Sequence, residues 1–478
     1  MSDTSSTGAT VTSSVLDRVA RLGDELGRFD ARGLPDDELV ALVTALEELK
    51  CRAEAGQVLA TAAFDASQRA EQAPAGVPHA RQGQGVALQL ALARRESHHR
   101  GQQHLGLARV LTRELPFTLD ALRAGLISEW RATLVARETA CLSREHRAEV
   151  DQALGHDPHA WSRWGERELI GELRRLSYRL DPAAVVARRR RAESERSVSL
   201  RPAPDCMTYL TALLPVATGV AVHAELTRTA DSARAAGDER CRGQVMADTL
   251  ATRSLGQPDA GVPRIPVTVN VVVSDEVLLG VATRDNTDDT AYVEAYGLVP
   301  GALARQLATS SMDVEGEAAV HLRRLYAAPD SGTLVALESR SRCFPRALAD
   351  YVRLRDRTCR TPWCDAPVRH VDHVQAHTAG GPTTAQNAQG LCEACNLAKA
   401  APGWVATTSD AAGGHTVTTL TPTGRTYDST APPLPRPLPR HRLGRGQPAE
   451  PLVTPAVCGR VHHSWSEWTL EALLQHAA

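Results

Sequence analysis

Two cysteine pairs, Cys359-x4-Cys364 and Cys392-x2-Cys395, lie within 37 residues of this 478-residue chain. Each pair spans a short turn that can direct two thiolates at one point, and the 27 residues between the pairs allow both to converge. Four thiolates match the tetrahedral ligand set of Zn²⁺, with bonds of about 2.3 Å. A redox Cys-x-x-Cys motif and four unrelated buried thiols are the alternatives, but a redox motif does not need a second pair. The spacing therefore predicts a structural zinc site.

Charge and targeting signals favour a cytoplasmic protein. The chain carries 54 Lys+Arg and 56 Asp+Glu, a net charge of −2, so any contact with a polyanion must be local. The N-terminal run MSDTSSTGAT lacks the basic-then-apolar pattern of a signal peptide. The longest uncharged run, residues 206–222, contains Pro215 and Gly219 and is too short to span a membrane. We expect a cytoplasmic protein with reduced thiols and no membrane association.

Composition and periodicity predict a largely helical N-terminal region. Aromatic residues make up only 4% of the chain, so its cores must be built from Ala, Leu and Val, which favours helices. Residues 1–33 are predicted to be a flexible N-terminus, because they begin with a Ser/Thr/Gly-rich run. A helix is predicted to begin at Leu34-Pro35-Asp36, with Asp36 and Asp37 near its positive end and apolar residues spaced by three and four after them. Valines alternate over 267–273 as they do in a strand. Residues 34–335 are therefore predicted to form a helical domain with a β-containing end.

Polar residues with catalytic potential lie between the cysteine pairs and just after them. Asp372 and His373 are adjacent, and Asn396 directly follows the last cysteine. A carboxylate and an amide oxygen are ligands for a hard divalent cation, and they leave positions for water and phosphate. A neutral imidazole beside such a cation can accept a proton from water. These three residues predict a metal-assisted hydrolase site on a loop that the zinc holds at both ends.

The segment 356–404 resembles the HNH endonuclease motif. Asp372-His373, Asn387 and Asn396 stand where that motif has its His, its Asn and its final His or Asn, and the four cysteines match its zinc-containing subset. The resemblance implies a ββα-metal fold in which His373 is the general base for in-line attack of water on a phosphodiester. It implies that Asp372 and Asn396 hold one Mg²⁺ (or Mn²⁺ or Ni²⁺) at the scissile phosphate and the leaving 3′-oxygen. Asn387, as a further catalytic residue, would tie the loop and keep His373 oriented.

The remainder of the chain resembles the actinobacterial 13E12-repeat family. The resemblance rests on Leu115-Pro116 with ALRAG at 121–125, on Asp181-Pro182 before an Arg-rich helix, and on TPTGRTY at 421–427. Members of this family join a helical N-terminal domain of unknown function to a C-terminal HNH module. We accordingly predict an α+β protein: a mostly α-helical N-terminal domain, a small mixed α/β middle segment, and a zinc-stapled HNH module at 336–410. Residues 411–478 would form a hairpin, a Pro/Arg-rich linker and a C-terminal tail. The two strands of the hairpin are predicted at Trp404–Thr408 and His415–Leu420, with its turn at Gly413-Gly414.

Strand geometry and the last motif position both bear on the predicted site. Alternation along a strand puts Asp372 and His373 on opposite faces, so they reach one site only if the strand ends or bends there. Asn396 stands where many members of the family have His, and an amide is the weaker metal ligand. Three side chains beside the motif are predicted to contact the DNA backbone: Arg369, His370 and Lys399.

The sequence thus predicts a metal-dependent HNH endonuclease that hydrolyses DNA phosphodiester bonds. Its cofactors would be a catalytic Mg²⁺ (or Mn²⁺ or Ni²⁺) and a structural Zn²⁺, and its partner would be DNA. The alternative is a non-catalytic, zinc-stabilised DNA-binding or scaffold protein with a decayed HNH site. The intact Asp372, His373 and Asn396 argue against decay, because a module that only binds needs only the cysteines.

Overall fold

The structure is a computed structural model that describes residues 6–255, 271–272, 290–293, 296–310, 338–339, 343–411 and 414–432. It has the predicted α+β fold, with mostly helices up to residue 255 and small sheets further along the chain. The chain divides into two compact units, residues 1–94 with 99–186 and residues 95–98 with 187–478. Within the described ranges, every helix is too short or too polar to cross a membrane. The three predicted domain boundaries, after residues 33, 335 and 410, stay predictions.

The helices, in chain order, are α1 Ser6–Gly27, α2 Asp36–Gln72, α3 Val86–Arg94, α4 His98–Arg113, α5 Pro116–Arg123, α6 Glu129–Glu138, α7 Arg144–Gly155, α8 Pro158–Ser162, α9 Glu166–Leu180, α10 Pro182–Ser194, α11 Val216–Ala235, α12 Arg242–Leu255, α13 Gly301–Ser310, α14 Arg346–Asp356 and α15 Glu393–Lys399. The strands are β1 Ser197–Ala203, β2 Met207–Leu213, β3 Val271–Val272, β4 Thr290–Val293, β5 Gly297–Pro300, β6 Glu338–Ser339, β7 His370–His373, β8 Thr383–Thr384, β9 Ala388–Leu391, β10 Val405–Ala411, β11 Gly414–Leu420 and β12 Thr426–Thr430. Short 3₁₀ turns lie at His79–Arg81 and His377–Ala379.

The N-terminal segment is helical where its composition predicts an irregular, flexible chain. Helix α1 occupies Ser6–Gly27. Apolar side chains at Val15, Val19, Leu22 and Leu26 are spaced by four and three, which is a helical period that the Ser/Thr-rich start of the segment obscures. The side chains from Val15 to the end of the helix are exposed, so α1 contributes nothing to a core within the described residues.

The first unit is a helical bundle with an aliphatic core. Helix α2 packs on α5 and α6, α5 packs on α7, and α6 packs on α9. Most of the buried side chains between them are Leu, Ala and Val, and the largest is Trp161. This core confirms the prediction from the low aromatic content. The predicted start of α2 after Pro35 is confirmed as well, because its first turn carries Asp36, Asp37 and Glu38 at the positive end of the helix.

The middle of the chain contains small, separate sheets. Strands β1 and β2 form an antiparallel hairpin, and α11 packs on α12. Strands β3, β4 and β5 form an antiparallel sheet, and α13 packs on it through Ala304 near Ala291 and Val299. Of the valine run predicted to be a strand, only residues 271–272 are described, and they form β3. The Pro/Arg-rich linker and the tail lie outside the described residues from 433 onward.

The C-terminal module comprises residues 343–411 and 414–432. Strands β7 and β9 pair antiparallel, with His370 opposite Leu391 and His373 opposite Ala388. Helix α14 packs against this pair through Leu348, Tyr351 and Val352, which are all buried. The short helix α15 begins directly after β9 and packs on β7. Two strands followed by a helix therefore carry the residues that the motif predicts.

Strands β10, β11 and β12 form a three-stranded antiparallel sheet that continues the module past residue 410. The predicted hairpin is confirmed: β10 and β11 pair along their whole length, from Val405 opposite Leu420 to Ala411 opposite Gly414. Strand β12 then adds to β11, which the sequence analysis did not predict. The predicted boundary at 410 falls inside the last residues of β10, so the pairing of this sheet crosses it.

Candidate metal and catalytic centre

The four clustered cysteines meet at one point. Cys359 and Cys364 lie in the turn after α14, where the N–H of Cys359 donates to the carbonyl of Ala366 at 2.9 Å. Cys392 is the N-cap of α15, and Cys395 follows within the first turn of that helix. All four sulfurs lie within 4.8 Å of one another, and all four side chains are buried. The structure therefore brings together the complete set that the spacing predicts.

The distances between the sulfurs fit a tetrahedral zinc site. The Sγ of Cys364 lies 3.9 Å from that of Cys392 and 3.7 Å from that of Cys395. Bonds of about 2.3 Å in a tetrahedron place sulfurs about 3.8 Å apart. Contact with Cys359 and Cys395 lowers the pKa of Cys364 to about 4, and contact with Cys359 raises the pKa of Cys392. The donor set thus fits a structural zinc that ties the turn before β7 to the start of α15.

Two pairs of side chains connect β7 to α15. The Lys399 ammonium forms an ion pair with the Asp372 carboxylate, and it also donates to the main-chain oxygen of His373 at 2.7 Å. One turn earlier on the helix, Nδ2 of Asn396 donates to Nδ1 of His370 at 2.9 Å. Oδ1 of Asn396 is buried and has no hydrogen-bond donor among the described residues. An amide oxygen in this state is unfavourable unless a ligand satisfies it.

These donors also fit a hard divalent cation. Asp372 supplies a carboxylate, which forms an ion pair with the ammonium of Lys399. Asn396 supplies a buried oxygen that no described N–H or O–H satisfies. Oxygen ligands of these two kinds are those that Mg²⁺ and Mn²⁺ prefer. The donor chemistry therefore agrees with the cation that the motif implies.

His373 ends strand β7 and lies in a buried pocket on the other side of the strand from the helix. Its Nε2 lies 2.9 Å from the hydroxyl of Thr383, and its ring centroid lies 4.4 Å from that of Phe344 and 5.6 Å from that of His377. The imidazole is 6% exposed. The strand ends at His373, which is the geometry that the sequence analysis requires if Asp372 and His373 are to serve one site.

Asn387 closes the loop between β7 and β9. Its Oδ1 accepts the N–H of Gln375 at 2.9 Å, and its Nδ2 donates to the carbonyls of Gln375 at 3.0 Å and Pro382 at 2.8 Å. Gly381 makes this closure possible, because a Cβ there would lie 1.9 Å from the oxygen of Gln375. The side chain of Asn387 thus holds both ends of the loop that follows His373, which is the contact pattern expected for the predicted role.

The C-terminal sheet is fixed to this loop by buried polar groups. Arg360 is 4% exposed; it pairs with Asp356 and donates to the main-chain oxygens of His415 and Ser429. Asp356 in turn accepts the N–H of Gly390 in β9 at 2.7 Å. Nε2 of His415 donates to the carbonyl of Gln386 at 2.7 Å, next to Asn387. Burial, together with the charge of Arg355, lowers the pKa of His415 to about 4.

The predicted DNA contacts have different environments. Arg369 and His370 are exposed, and the side chain of Lys399 faces Asp372. Two other arginines near the motif, Arg355 and Arg360, do not add to a basic surface, because both are buried against Asp356. Contact of Arg369, His370 and Lys399 with DNA stays a prediction.

The sequence did not predict Thr383 or Phe344 as neighbours of the site, nor the ion pair between Lys399 and Asp372. Thr383 and Phe344 contact the imidazole of His373, and Lys399 contacts Asp372. Only Lys399 carries a sequence signal, since it stands one helical turn after Asn396. Phe344 precedes α14 and lies 29 positions before His373, so no local period links the two residues.

Comparison with known proteins finds two family models that match successive parts of the chain. A family model described as a domain of unknown function, DUF222, matches residues 43–356, about two thirds of the chain, and ends where α14 ends. A model described as an HNH endonuclease matches residues 359–401, from Cys359 to just after α15. An uncharacterized protein of Mycobacterium tuberculosis is 28% identical over 411 residues, 74% of this chain and 74% of its own length. No solved structure matches the chain significantly.

Proposed function

The chain belongs to the DUF222 family and carries an HNH endonuclease domain after its DUF222 domain, and on this basis we propose that it is a metal-dependent endonuclease that hydrolyses DNA phosphodiester bonds. His373 is the general base, and Asp372 with Asn396 holds one divalent cation. Zinc bound by the four cysteines has a structural role. The observation that carries the proposal is that Asp372 and His373 end β7, while Asn396 lies on α15, which packs on β7 and begins at the four-sulfur cluster.

His373 has the surroundings of a positioned base. The hydroxyl of Thr383 and the ring of Phe344 hold the imidazole in one orientation at the end of β7. The imidazole takes a proton from a water molecule as the water oxygen forms a bond to phosphorus. The bond from phosphorus to the 3′-oxygen breaks, which leaves a 5′-phosphate and a 3′-hydroxyl after that oxygen is protonated. A positioned base contributes roughly 10²–10⁴-fold to such a step.

Asp372 and Asn396 bind and orient the cation. When bound, a divalent cation supplies Lewis acidity that offsets the negative charge developing on the phosphate and the leaving oxygen. Lys399 balances the charge of Asp372 from the neighbouring turn of α15. Asn387 does not contact the reacting atoms. Its three side-chain hydrogen bonds keep the loop after His373 closed.

The alternative is a zinc-stabilised DNA-binding or scaffold protein without activity. A decayed site would not need a buried amide oxygen without a donor, nor a closed loop around a buried histidine. Both features are present within the described residues, and they favour the catalytic proposal.

The proposal is tested by a plasmid-nicking assay of the full chain with His373→Ala. We expect cleavage by the wild type in Mg²⁺, Mn²⁺ or Ni²⁺, none in EDTA, and a loss of roughly 10²-fold or more in the variant. Zinc content and DNA affinity should stay at the wild-type level. A control is Arg425→Ala, which removes an exposed cation of the same module that has no assigned role at the site, and it should leave cleavage at the wild-type rate. Cleavage at the wild-type rate by His373→Ala would show that the assigned base is wrong.

A further inference from the structure

Helix α15 and strand β7 are joined by two parallel side-chain pairs. Asn396 meets His370, and Lys399, one helical turn later, meets Asp372. His370 and Asp372 are two positions apart in the strand, so both side chains leave it on the face that carries the helix. The exposed His370 is therefore part of the same face as the proposed ligands of the cation.

The amide of Asn396 has two ends with opposite chemistry. Its Nδ2 end is used by the hydrogen bond to Nδ1 of His370 at 2.9 Å. Its Oδ1 end is buried and has no donor among the described residues. The two ends are nearly equal in size, so packing alone does not decide between them. In the orientation that the structure shows, Nδ1 of His370 accepts from the NH₂ group of Asn396, which leaves the amide oxygen for another partner.

We propose that His370 is a positioning residue for the proposed metal ligand Asn396: it holds the amide so that its oxygen, and not its NH₂ group, faces the cation. This inference rests on the proposed function, since it assigns a role at the same metal site. If the amide were rotated by 180° about its Cβ–Cγ bond, it would present two N–H donors to the cation and could not bind it. Outer partners of this kind orient metal ligands throughout metalloproteins.

The same bond gives His370 a role other than the predicted contact with DNA. The nitrogen that faces Asn396 is already engaged within the protein. Through this nitrogen, His370 acts on the cation by way of Asn396. This makes the effect of His370 conditional on residue 396 being an amide, and that condition can be tested.

The test is a double-mutant cycle read by titration calorimetry with Mn²⁺ on the zinc-loaded full chain. His370→Phe keeps a ring but has no acceptor, and it should weaken Mn²⁺ binding about ten-fold. His370→Asn places an amide oxygen where Nδ1 stood and should restore most of the affinity. Arg425→Ala, which removes an exposed cation elsewhere in the module, is the control and should leave the Mn²⁺ affinity unchanged within about two-fold.

The same His370→Phe substitution in an Asn396→Asp variant tests whether His370 acts by orienting the amide. Both ends of a carboxylate are oxygens, so its orientation no longer matters, and His370→Phe should then change the Mn²⁺ affinity by less than about two-fold. An equal loss in both backgrounds would overturn the positioning role, as would equal Mn²⁺ binding by wild type and His370→Phe. If the wild type with full zinc content binds no Mn²⁺, the proposed metal site fails, and the role of His370 fails with it.

Discussion

The buried imidazole of His415 should make the C-terminal module sensitive to acid. His415 is 7% exposed, and burial lowers its pKa from 6.5 to about 4. The unfolded chain binds a proton near pH 6.5, whereas the folded chain keeps the ring neutral down to about pH 4. The stability that depends on the neutral ring is therefore complete above pH 6.5 and is lost as the pH falls towards 4.

The size of this effect follows from the shift. Each pKa unit corresponds to 1.36 kcal/mol. The free energy of unfolding is therefore lowered by ~2 kcal/mol at pH 5 and by ~3 kcal/mol near pH 4, because the unfolded chain binds the proton more tightly. The variant His415→Gln keeps a side-chain N–H for the carbonyl of Gln386 but has no proton to gain in this range. Between pH 7 and pH 5, the wild type should therefore lose ~2 kcal/mol more than the variant, about 30-fold in local opening.

Amide hydrogen exchange, read by mass spectrometry on the full chain, measures this opening in the peptides of β9 and β11. Release of zinc at low pH affects both proteins, so the difference between them isolates the imidazole. Peptides of α5 belong to the other unit and serve as the internal control, with equal exchange in both proteins. Equal loss of protection in wild type and His415→Gln between pH 7 and pH 5 would refute the reasoning.

Three further substitutions probe the zinc cluster, the buried charges and the loop. Cys392→Ser removes a zinc ligand, so zinc analysis should find clearly less than one ion per chain and the module should lose exchange protection; full zinc content would argue against the cluster. Arg360→Met removes one of the two buried guanidinium groups that pair with Asp356. In the same exchange experiment, this variant should lower the stability of the module by roughly 3 kcal/mol. A loss below ~1 kcal/mol would mean that the ion pair is not buried. Asn387→Ala removes three hydrogen bonds from the loop and should slow plasmid nicking about ten-fold or more at unchanged zinc content; wild-type nicking would rule out its role.

The parts of the fold that depend on local pattern were predictable. The start of α2 follows from Pro35 and the acidic first turn, and the meeting of four cysteines follows from the short spacing within each pair. Helix α1 was missed because its polar composition outweighs the period of its few apolar residues. The hairpin of β10 and β11 was predicted from its glycine turn, but the addition of β12 was not.

The parts that depend on contacts between distant segments were not predictable. Phe344, which precedes α14, contacts the ring of His373, and His415 of the C-terminal sheet donates to the carbonyl of Gln386. No spacing rule links such positions, because their approach is set by how α14 and β11 pack. The pairing of Asn396 with His370 was predictable only in part. A helix that follows an antiparallel strand pair places both residues on one face, but the structure is needed to show which end of the amide forms the hydrogen bond.

The most direct test of the central claim is cleavage of a supercoiled plasmid by the purified full chain, with EDTA or with Mg²⁺, Mn²⁺ or Ni²⁺, followed by treatment of the product with DNA ligase. We predict metal-dependent nicks that ligase seals, because hydrolysis with the 3′-oxygen as the leaving group gives a 5′-phosphate and a 3′-hydroxyl. No cleavage with any of these metals, by protein that retains its zinc and binds DNA, would contradict the account and favour the binding or scaffold protein.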